Sequence, residues 1–222
     1  MAAPVTIKVL IADPHGIVRE GLAALLAGEP DMQVVGEASD GLDAVKLAGS
    51  LGSDIVLLDL AMPSLNGIDA TRRIRETSPG SKVICLTSRS EKRLMAEMIE
   101  AGAAGYILKD CPFQELANAI RTVMGGGRVV SPELANVVLP TGQPGASAPA
   151  RSSAFLLLSP REREVLQLLS EGKNAKEIAA MLRLSRKTVE AHRTNIMEKL
   201  DIRTIAGLTR YAIREGLSSI DS

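Results

Sequence analysis

Short apolar runs alternate with helical periodicity through the first part of the chain. Five runs have the length of strands, and most of them have the near-continuous apolar character of strands buried on both faces. They are Ile7–Ala12, Met32–Ala38, Asp54–Leu58, Lys82–Leu86 and Gly105–Leu108. The segments with helical spacing are Val18–Leu26, Gly41–Leu51, Ile68–Thr77, Arg93–Ala101 and Phe113–Met124. This alternation predicts an α/β domain with a doubly wound, five-stranded parallel sheet, for which the flavodoxin-like order 2-1-3-4-5 is one of two common arrangements.

The pattern changes after Met124. Residues 140–153 are rich in Pro, Gly, Ser and Ala and lack the apolar residues that build a core, which predicts a flexible linker, and residues 132–139 before them have the pattern of a short helix. From Phe155 onward the pattern is wholly helical. The sequence therefore predicts a first domain at 1–125, a linker at 126–154 and a small all-α domain at 155–222.

Capping signals divide the C-terminal domain into four helices. Ser159-Pro160-Arg161-Glu162 is a capping box with Pro at the first helical position, and its helix runs toward Gly172. Asn174 caps a second helix that continues through Leu182. The third and fourth helices are predicted at Arg186–Leu200, after a turn and cap at Leu184-Ser185, and at Ile205–Glu215. A short helix, a tight turn and a basic amphipathic helix are typical of a helix-turn-helix that enters the major groove of DNA.

Charge is divided unevenly along a chain whose formal net charge is zero. Residues 1–150 carry 13 basic and 17 acidic side chains, a balance of −4, whereas residues 151–222 carry 13 basic and 9 acidic ones, a balance of +4. Any contact with nucleic acid is therefore expected in the second half. Two cysteines are too few for a disulfide framework, and neither a signal peptide nor a membrane-spanning segment is evident, so a cytoplasmic protein without membrane contact is expected.

Polar side chains follow four of the predicted strands, where parallel sheets of this kind place their chemistry. They are Asp13, Asp59, Thr87 and Lys109. Two adjacent carboxylates favour a hard cation such as Mg²⁺, and a carboxylate can also attack phosphorus to give an aspartyl phosphate. Lys109 would neutralise phosphoryl oxygens and Thr87 would offer a hydroxyl to them.

Three motifs on these strands resemble the receiver domain of two-component response regulators over about residues 6–125. They are Asp59-Leu60-Ala61-Met62-Pro63 with Gly67 following, Leu86-Thr87, and Gly105-Tyr106-Ile107-Leu108-Lys109-Asp110. The resemblance implies that a sensor histidine kinase phosphorylates Asp59 beside a bound Mg²⁺. It implies that Asp13, Asp59 and the backbone carbonyl of Ala61 hold the metal. It also implies that Thr87 and Tyr106 rearrange as a switch and that Lys109 contacts the phosphate.

One position departs from the receiver pattern. The family usually carries two consecutive acids after the first strand, but here Asp13 is followed by Pro14 and then by His15. Proline has no side-chain ligand for Mg²⁺ and restricts the local backbone. Two hypotheses follow: an ordinary phosphorylated switch, and an atypical receiver that is not phosphorylated and serves as a dimerisation or partner-binding module. His15 itself is interpreted as a loop residue.

The C-terminal motifs resemble the LuxR-type DNA-binding domain of NarL/FixJ-type regulators over about residues 156–217. They are Leu158–Leu166, Glu177-Ile178-Ala179 and Ser185–Arg193. The resemblance implies a transcription factor rather than an enzyme, which binds double-stranded DNA as a homodimer. It places Glu190, Ala191 and Thr194 where the family reads bases, and Lys187, Thr188, Arg193 and Asn195 where it contacts the backbone or neighbouring groups. His192 is expected to pack or form a hydrogen bond, and Glu190 either accepts a bond from cytosine or pairs with a neighbouring side chain on the helix.

Other classes of function fit the sequence less well. A phosphohydrolase resembling the haloacid dehalogenases needs a second Asp two positions after the first, where this chain has Ala61. A dinucleotide-dependent oxidoreductase needs a G-x-G-x-x-G turn, which does not follow the first strand. A pure protein-interaction module does not explain the basic third helix of the C-terminal domain.

Overall fold

The computed structural model describes residues 6–131 and 154–218, which divide into two compact units. The first unit contains a parallel sheet with the order β2-β1-β3-β4-β5-β6. Its strands are β1 (Ile7–Ala12), β2 (Met32–Ala38), β3 (Ile55–Leu58), β4 (Lys82–Thr87), β5 (Gly105–Leu108) and β6 (Val129–Val130). Its helices are α1 (Gly16–Leu26), α2 (Gly41–Leu51), α3 (Gly67–Thr77), α4 (Lys92–Ala101) and α5 (Phe113–Met124). The predicted flavodoxin-like order of the first five strands is confirmed.

Alternate residues of the strands pack on opposite faces of this sheet. Ile11 of β1 and Leu57 of β3 belong to a core cluster that also contains Leu26 of α1 and Ile120 of α5. On the other face, alternate side chains such as Val56 are equally buried. Burial of both faces explains why most of these strands are largely apolar rather than alternating with polar residues, whereas the edge strand β2 is partly exposed and contains Gln33 and Glu37.

The sheet has a sixth strand that the sequence did not predict. Val129–Val130 pairs in parallel with Gly105–Tyr106 of β5, and the Leu108 amide donates a hydrogen bond to Ser131 Oγ at 3.1 Å. The prediction of exactly five strands was therefore incomplete, and residues 126–131 continue the first unit instead of beginning a linker. A two-residue strand carries too little periodicity to be recognised in a sequence. The rest of the predicted linker through residue 153, with the short helix at 132–139, lies outside the described residues.

The second unit is wholly helical within residues 154–218. It contains α6 (Ala154–Leu157), α7 (Pro160–Ser170), α8 (Ala175–Leu182), α9 (Arg186–Leu200) and α10 (Ile205–Glu215). The last four are the predicted helices, and both predicted capping boxes, at Ser159 and Asn174, are present. α6 is a single extra turn whose first residue, Ala154, falls in the predicted linker.

The turn between α8 and α9 gives the unit its helix-turn-helix geometry. Arg183 adopts a left-handed conformation with φ of 53°, and the Leu184 amide donates to the Ala179 carbonyl at 2.8 Å. Ser185 then caps α9 by accepting a hydrogen bond from the Thr188 amide at 3.0 Å.

In the described part of the chain, no helix combines the length and the apolar character needed to cross a membrane.

Candidate functional site

The carboxyl edge of the sheet brings Asp13 and Asp59 together. Asp13 follows β1 and Asp59 follows β3, and these strands are neighbours in the sheet. The Asp59 amide donates to the Ala12 carbonyl at 2.8 Å, which extends the strand pairing up to the site. Both acids are almost fully buried, with 2% and 5% of their surface exposed. Buried carboxylates of this kind require partners that neutralise or hydrogen-bond them.

Lys109, at the end of β5, supplies the positive charge between the two acids. Its Nζ lies 2.5 Å from Asp13 Oδ2 and 2.9 Å from Asp59 Oδ1. Burial by itself favours the neutral amine, but the charges of Asp59 and Asp13 and their hydrogen bonds outweigh it, so the pKa of Lys109 is raised above its ordinary value. The lysine is therefore a cation at neutral pH, placed where a phosphoryl group on Asp59 would need one.

The remaining carboxylate oxygens of the pair also accept hydrogen bonds. Asp59 Oδ2 accepts from the Ala61 amide at 2.9 Å. Asp13 Oδ1 accepts from the His15 amide at 2.9 Å, and His15 Nδ1 lies 3.0 Å from the same oxygen. All four oxygens of the acid pair thus have a partner within the chain. His15 acts as a loop residue that hydrogen-bonds Asp13 and leads into α1, consistent with its interpretation from the sequence.

The acid pair fits a small divalent cation that takes only a few of its ligands from protein side chains. Oxygens of Asp13 and Asp59 converge on one point, because the single amine of Lys109 contacts both. Mg²⁺ is commonly held by one or two carboxylates, with water and phosphate oxygens completing its coordination. Pro14 adds no ligand. Across residues 6–131 and 154–218, no cluster of three or more His, Cys, Asp and Glu side chains has the arrangement of a metal site.

A basic side chain that sequence reasoning missed holds the Pro14 turn. Arg19 of α1 donates through Nη1 to the carbonyl oxygens of Asp13 at 2.7 Å and Pro14 at 3.3 Å. Its Nε donates to Glu37 Oε2 of β2 at 3.2 Å. The only signal in the sequence was a lone arginine in the first turns of α1, which is indistinguishable from a solvated charge.

Thr87 and Tyr106 contact the same residue of the loop after β4. Thr87 Oγ1 accepts from the Arg89 amide at 3.1 Å, and the Tyr106 hydroxyl donates to the Arg89 carbonyl at 2.7 Å. Both side chains are buried, and burial raises the pKa of Tyr106. A movement of Thr87 toward Asp59 would therefore break a bond to the loop that also holds Tyr106. This arrangement suits a switch, although the switch itself stays a prediction.

In the second unit, α9 presents a polar face to the outside. Val189 and Ile196 are buried, as their spacing predicted. The exposed residues of the helix are Arg186, Lys187, Glu190, Ala191, Thr194, Asn195, Glu198 and Lys199. Of the other predicted contacts, Thr188, His192 and Arg193 are partly buried. Glu190 pairs with Arg193 at 3.1 Å.

An ion pair that the sequence did not reveal ties α9 to the start of α7. Glu162 Oε2 accepts from Lys199 Nζ at 2.7 Å and from the Ser159 amide at 2.8 Å. Burial alone would raise the pKa of Glu162, but these hydrogen bonds and the charge of Lys199 lower it below its ordinary value. Lys199 is therefore paired with a carboxylate of another helix, although its side chain remains 45% exposed.

Comparison with known proteins assigns a family to both units. Residues 9–121 match the response regulator receiver domain, and residues 156–212 match the bacterial regulatory proteins of the luxR family. The chain belongs to the response regulators of the NarL/FixJ type.

Relatives of this response regulator match along almost the whole chain. The transcriptional regulatory protein LiaR of Bacillus subtilis (strain 168) is 41% identical over 95% of this chain and 99% of its own length. The response regulator UvrY of Escherichia coli (strain K12) is 38% identical over 97% of this chain and 98% of its own. Among solved structures, the response regulator RcsB of Salmonella typhimurium covers 95% of this chain and 98% of its own, with 27% identity and a TM-score of 0.63. RcsB has also been solved as two dimers bound to two parallel DNAs, with 25% identity, the same two coverages and a TM-score of 0.57.

The structure of this response regulator brings together most residues predicted for phosphorylation. Asp13, Asp59 and Lys109 are in direct contact, and Ala61 joins them through its amide. Thr87 and Tyr106 each form a hydrogen bond with the backbone of Arg89. The metal role of the Ala61 carbonyl and the DNA contacts of α9 stay predictions.

Proposed function

We propose that Asp59 accepts a phosphoryl group from a sensor histidine kinase and that this modification controls DNA binding by the C-terminal unit. The observation that carries the proposal is the partly buried Lys109 side chain, whose amine contacts both Asp13 and Asp59. A phosphoryl group on Asp59 adds negative charge at a buried position, and a fixed cation there lowers the cost of that charge.

The transfer requires little chemistry from the receiver itself. One carboxylate oxygen of Asp59 forms a P–O bond as the P–N bond of the kinase phosphohistidine breaks. The imidazole leaves with the electron pair and takes up a proton. Asp13, Asp59 and the Ala61 carbonyl would hold Mg²⁺, which would supply positive charge to the phosphoryl oxygens. Lys109 supplies the second cation, and Arg19 holds the turn that carries Asp13.

We assign a separate role to each of the two units. The receiver spans residues 1–125 together with the β6 edge strand, the remaining residues through 154 connect it to the second unit, and residues 155–222 bind double-stranded DNA. The basic balance of that half and the structure of RcsB dimers on DNA support a homodimer on paired half-sites. Such a regulator acts in the cytoplasm, without catalysing a reaction on an external substrate.

Phosphorylation is tested by intact mass after incubation with a small-molecule phosphodonor, with and without Mg²⁺. We expect one phosphoryl adduct that requires Asp59 and increases with Mg²⁺, and Asp59→Asn is the control. DNA affinity is then measured across protein concentrations with and without the donor. An affinity that phosphorylation leaves unchanged at every concentration would refute the coupling.

Pro14 favours a second candidate, a regulator whose receiver is not phosphorylated and serves as a dimerisation or partner-binding module. In this case neither the phosphodonor nor a panel of histidine kinases would modify Asp59. DNA binding would then be constitutive or would depend on a protein partner or ligand of the receiver.

A further inference from the structure

We propose that Ser131 is a positioning residue of the phosphorylation site, which holds the end of β5 so that Lys109 reaches both acids. The inference rests on the proposed phosphorylation of Asp59 and adds to that site a residue outside the five predicted strands. Two hydrogen bonds between Ser131 and β5 carry it, one through the backbone of the serine and one through its side chain.

Ser131 continues the pairing of β6 with β5 and then ends it. Its amide donates to the Tyr106 carbonyl at 3.0 Å, directly after the paired residue Val130. Its Oγ accepts from the Leu108 amide at 3.1 Å, where a longer strand would offer a backbone carbonyl. Only 1% of the serine surface is exposed, so this bond is shielded from solvent. The hydroxyl therefore supplies the acceptor that a buried amide at the end of β5 requires.

The side-chain bond lies one residue before Lys109. The Leu108 amide donates to Ser131 on the β6 side of β5. The next amide, that of Lys109, donates to the Thr87 carbonyl of β4 at 2.9 Å. The backbone that carries the lysine is thus held from both neighbouring strands, and from it Nζ reaches the two acids at 2.5 and 2.9 Å. A cation stabilises developing charge most effectively when it is fixed before the reaction begins. Ser131 contributes to this fixation without contacting the acids.

The backbone bond acts on Tyr106, the other predicted site residue of β5. The carbonyl of this tyrosine accepts from Ser131, and its hydroxyl donates to the Arg89 carbonyl at 2.7 Å. One serine therefore holds β5 at Tyr106 and directly before Lys109. In the sequence, Ser131 is followed by the residues that lead to the second unit. The phosphorylation site is thus completed by the chain on its way to that unit.

The test compares three variants of the full chain. Ser131→Ala removes the acceptor of the Leu108 amide, and Ser131→Thr keeps the hydroxyl. Val130→Ala is the matched control, because it trims an apolar side chain of β6 without removing a hydrogen bond. Hydrogen exchange followed by NMR should be about fivefold faster at the Leu108 amide in Ser131→Ala, the effect of losing one hydrogen bond, and unchanged in Ser131→Thr. Unchanged exchange in Ser131→Ala would overturn the inference whether or not Asp59 is phosphorylated.

Phosphorylation is measured as the initial rate of adduct formation by intact mass with acetyl phosphate and Mg²⁺, where acetate leaves as the phosphoryl group passes to Asp59. Ser131→Ala should react at least about threefold more slowly than the wild type, because its lysine is held less firmly. Ser131→Thr and Val130→Ala should react at the wild-type rate. A wild type that forms no adduct would overturn the proposed function and the inference together. Equal rates for the wild type and Ser131→Ala, or an equally slow Ser131→Thr, would overturn only the inference.

Discussion

At the scale of single residues, Pro14 affects the charge of the proposed phosphorylation site. Asp13 and Asp59 together with Lys109 give a formal charge of −1, and a second acid after β1 would make it −2. Mg²⁺ affinity increases with the number of carboxylate ligands and with their charge. We therefore expect proline at position 14 to weaken Mg²⁺ binding, while Asp59 and Lys109 remain in place.

Replacing Pro14 with Asp should increase Mg²⁺ affinity at least tenfold, or about 1.4 kcal/mol. The added carboxylate supplies both a ligand and a negative charge next to Asp13. Isothermal titration calorimetry of the unphosphorylated chain measures the change. Pro14→Asn is the matched control, because it relaxes the backbone in the same way without adding charge. Equal affinities for the two variants would show that backbone freedom, rather than charge, limits metal binding.

Gly67 lies so close to the backbone of Asp59 that a side chain would not fit at this position. A Cβ at this position would collide with the carbonyl oxygen of Asp59, because α3 begins directly against the end of β3. Gly67→Ala should therefore lower the free energy of unfolding of the first unit by about 1–3 kcal/mol, the usual cost of overpacking. It should also reduce phosphorylation of Asp59.

Urea unfolding of the Gly67→Ala chain, followed by amide NMR signals of residues in the sheet, measures the loss. The control is Gly21→Ala, in the middle of α1, where an added Cβ meets no atom within 4 Å. This change should leave stability equal or higher, because alanine favours a helix by about 1 kcal/mol over glycine. A Gly67 variant as stable as the Gly21 variant would contradict the predicted collision.

At the scale of elements, the orientation of α9 depends on its two ends. Ser185 caps its first turn, and Lys199 in its last turn binds Glu162 at the start of α7. The helix therefore has a partly buried ionic contact at one end in addition to the apolar packing of Val189 and Ile196. We expect that contact to hold the recognition face in position.

Replacing Glu162 with Gln should destabilise the second unit by about 1 kcal/mol at neutral pH, because it removes an ion pair whose lysine is 45% exposed and partly screened by solvent. The pKa of Glu162 is lowered in the folded state, so its contribution is complete above its ordinary value of 4.5 and is lost as the pH falls through the folded-state pKa. The variant should therefore lose less stability than the wild type on acidification through this range. Urea unfolding at a series of pH values checks this expectation, with the exposed Glu198→Gln as control. Identical pH profiles for the wild type and Glu162→Gln would contradict it.

The turn before α9 contains a second element-scale feature, the left-handed conformation of Arg183. This conformation costs a residue with a side chain about 1–2 kcal/mol, and glycine adopts it freely. We expect Arg183→Gly to be more stable than Arg183→Ala by about 1 kcal/mol, because both variants lose the same side chain and differ in their backbone preference. Thermal unfolding of the second unit measures the difference. The opposite order would show that the turn is under no conformational strain.

At the scale of the whole molecule, the acidic and basic halves of the chain have different electrostatic roles. The balance of −4 in residues 1–150 and +4 in residues 151–222 directs polyanions to the second half. Contacts between basic side chains and DNA phosphates release counterions, which makes affinity depend steeply on salt.

Replacing Lys187 with Gln should weaken DNA binding and reduce the slope of log K against log salt by about 0.9, the value for one phosphate contact. Its effect should be nearly uniform across DNA sequences, in contrast to changes at Glu190. Fluorescence anisotropy at several salt concentrations gives the slope, and Lys46→Gln in the first unit is the control. A Lys187 variant that keeps the wild-type slope would exclude a phosphate contact at this position.

The sequence by itself determined the order of the elements and the family, and it named candidate site residues, of which the fold brings Asp13, Asp59 and Lys109 together. Strands buried on both faces are continuously apolar, and capping residues such as Ser159 and Asn174 act within one helical turn, so both leave local signals. The order of the sheet followed because few topologies are compatible with right-handed crossovers.

Only the tertiary structure decided which side chains meet across the chain. Arg19 with the Pro14 turn, Glu162 with Lys199, and β6 with β5 join segments whose sequences carry no mark of their partners. The sequence around Lys199 does not show whether its side chain is solvated or pairs with a buried carboxylate 37 positions away. The physical reason is that burial and pairing depend on the packing of whole elements, whereas patterns in the sequence record local periodicity and capping.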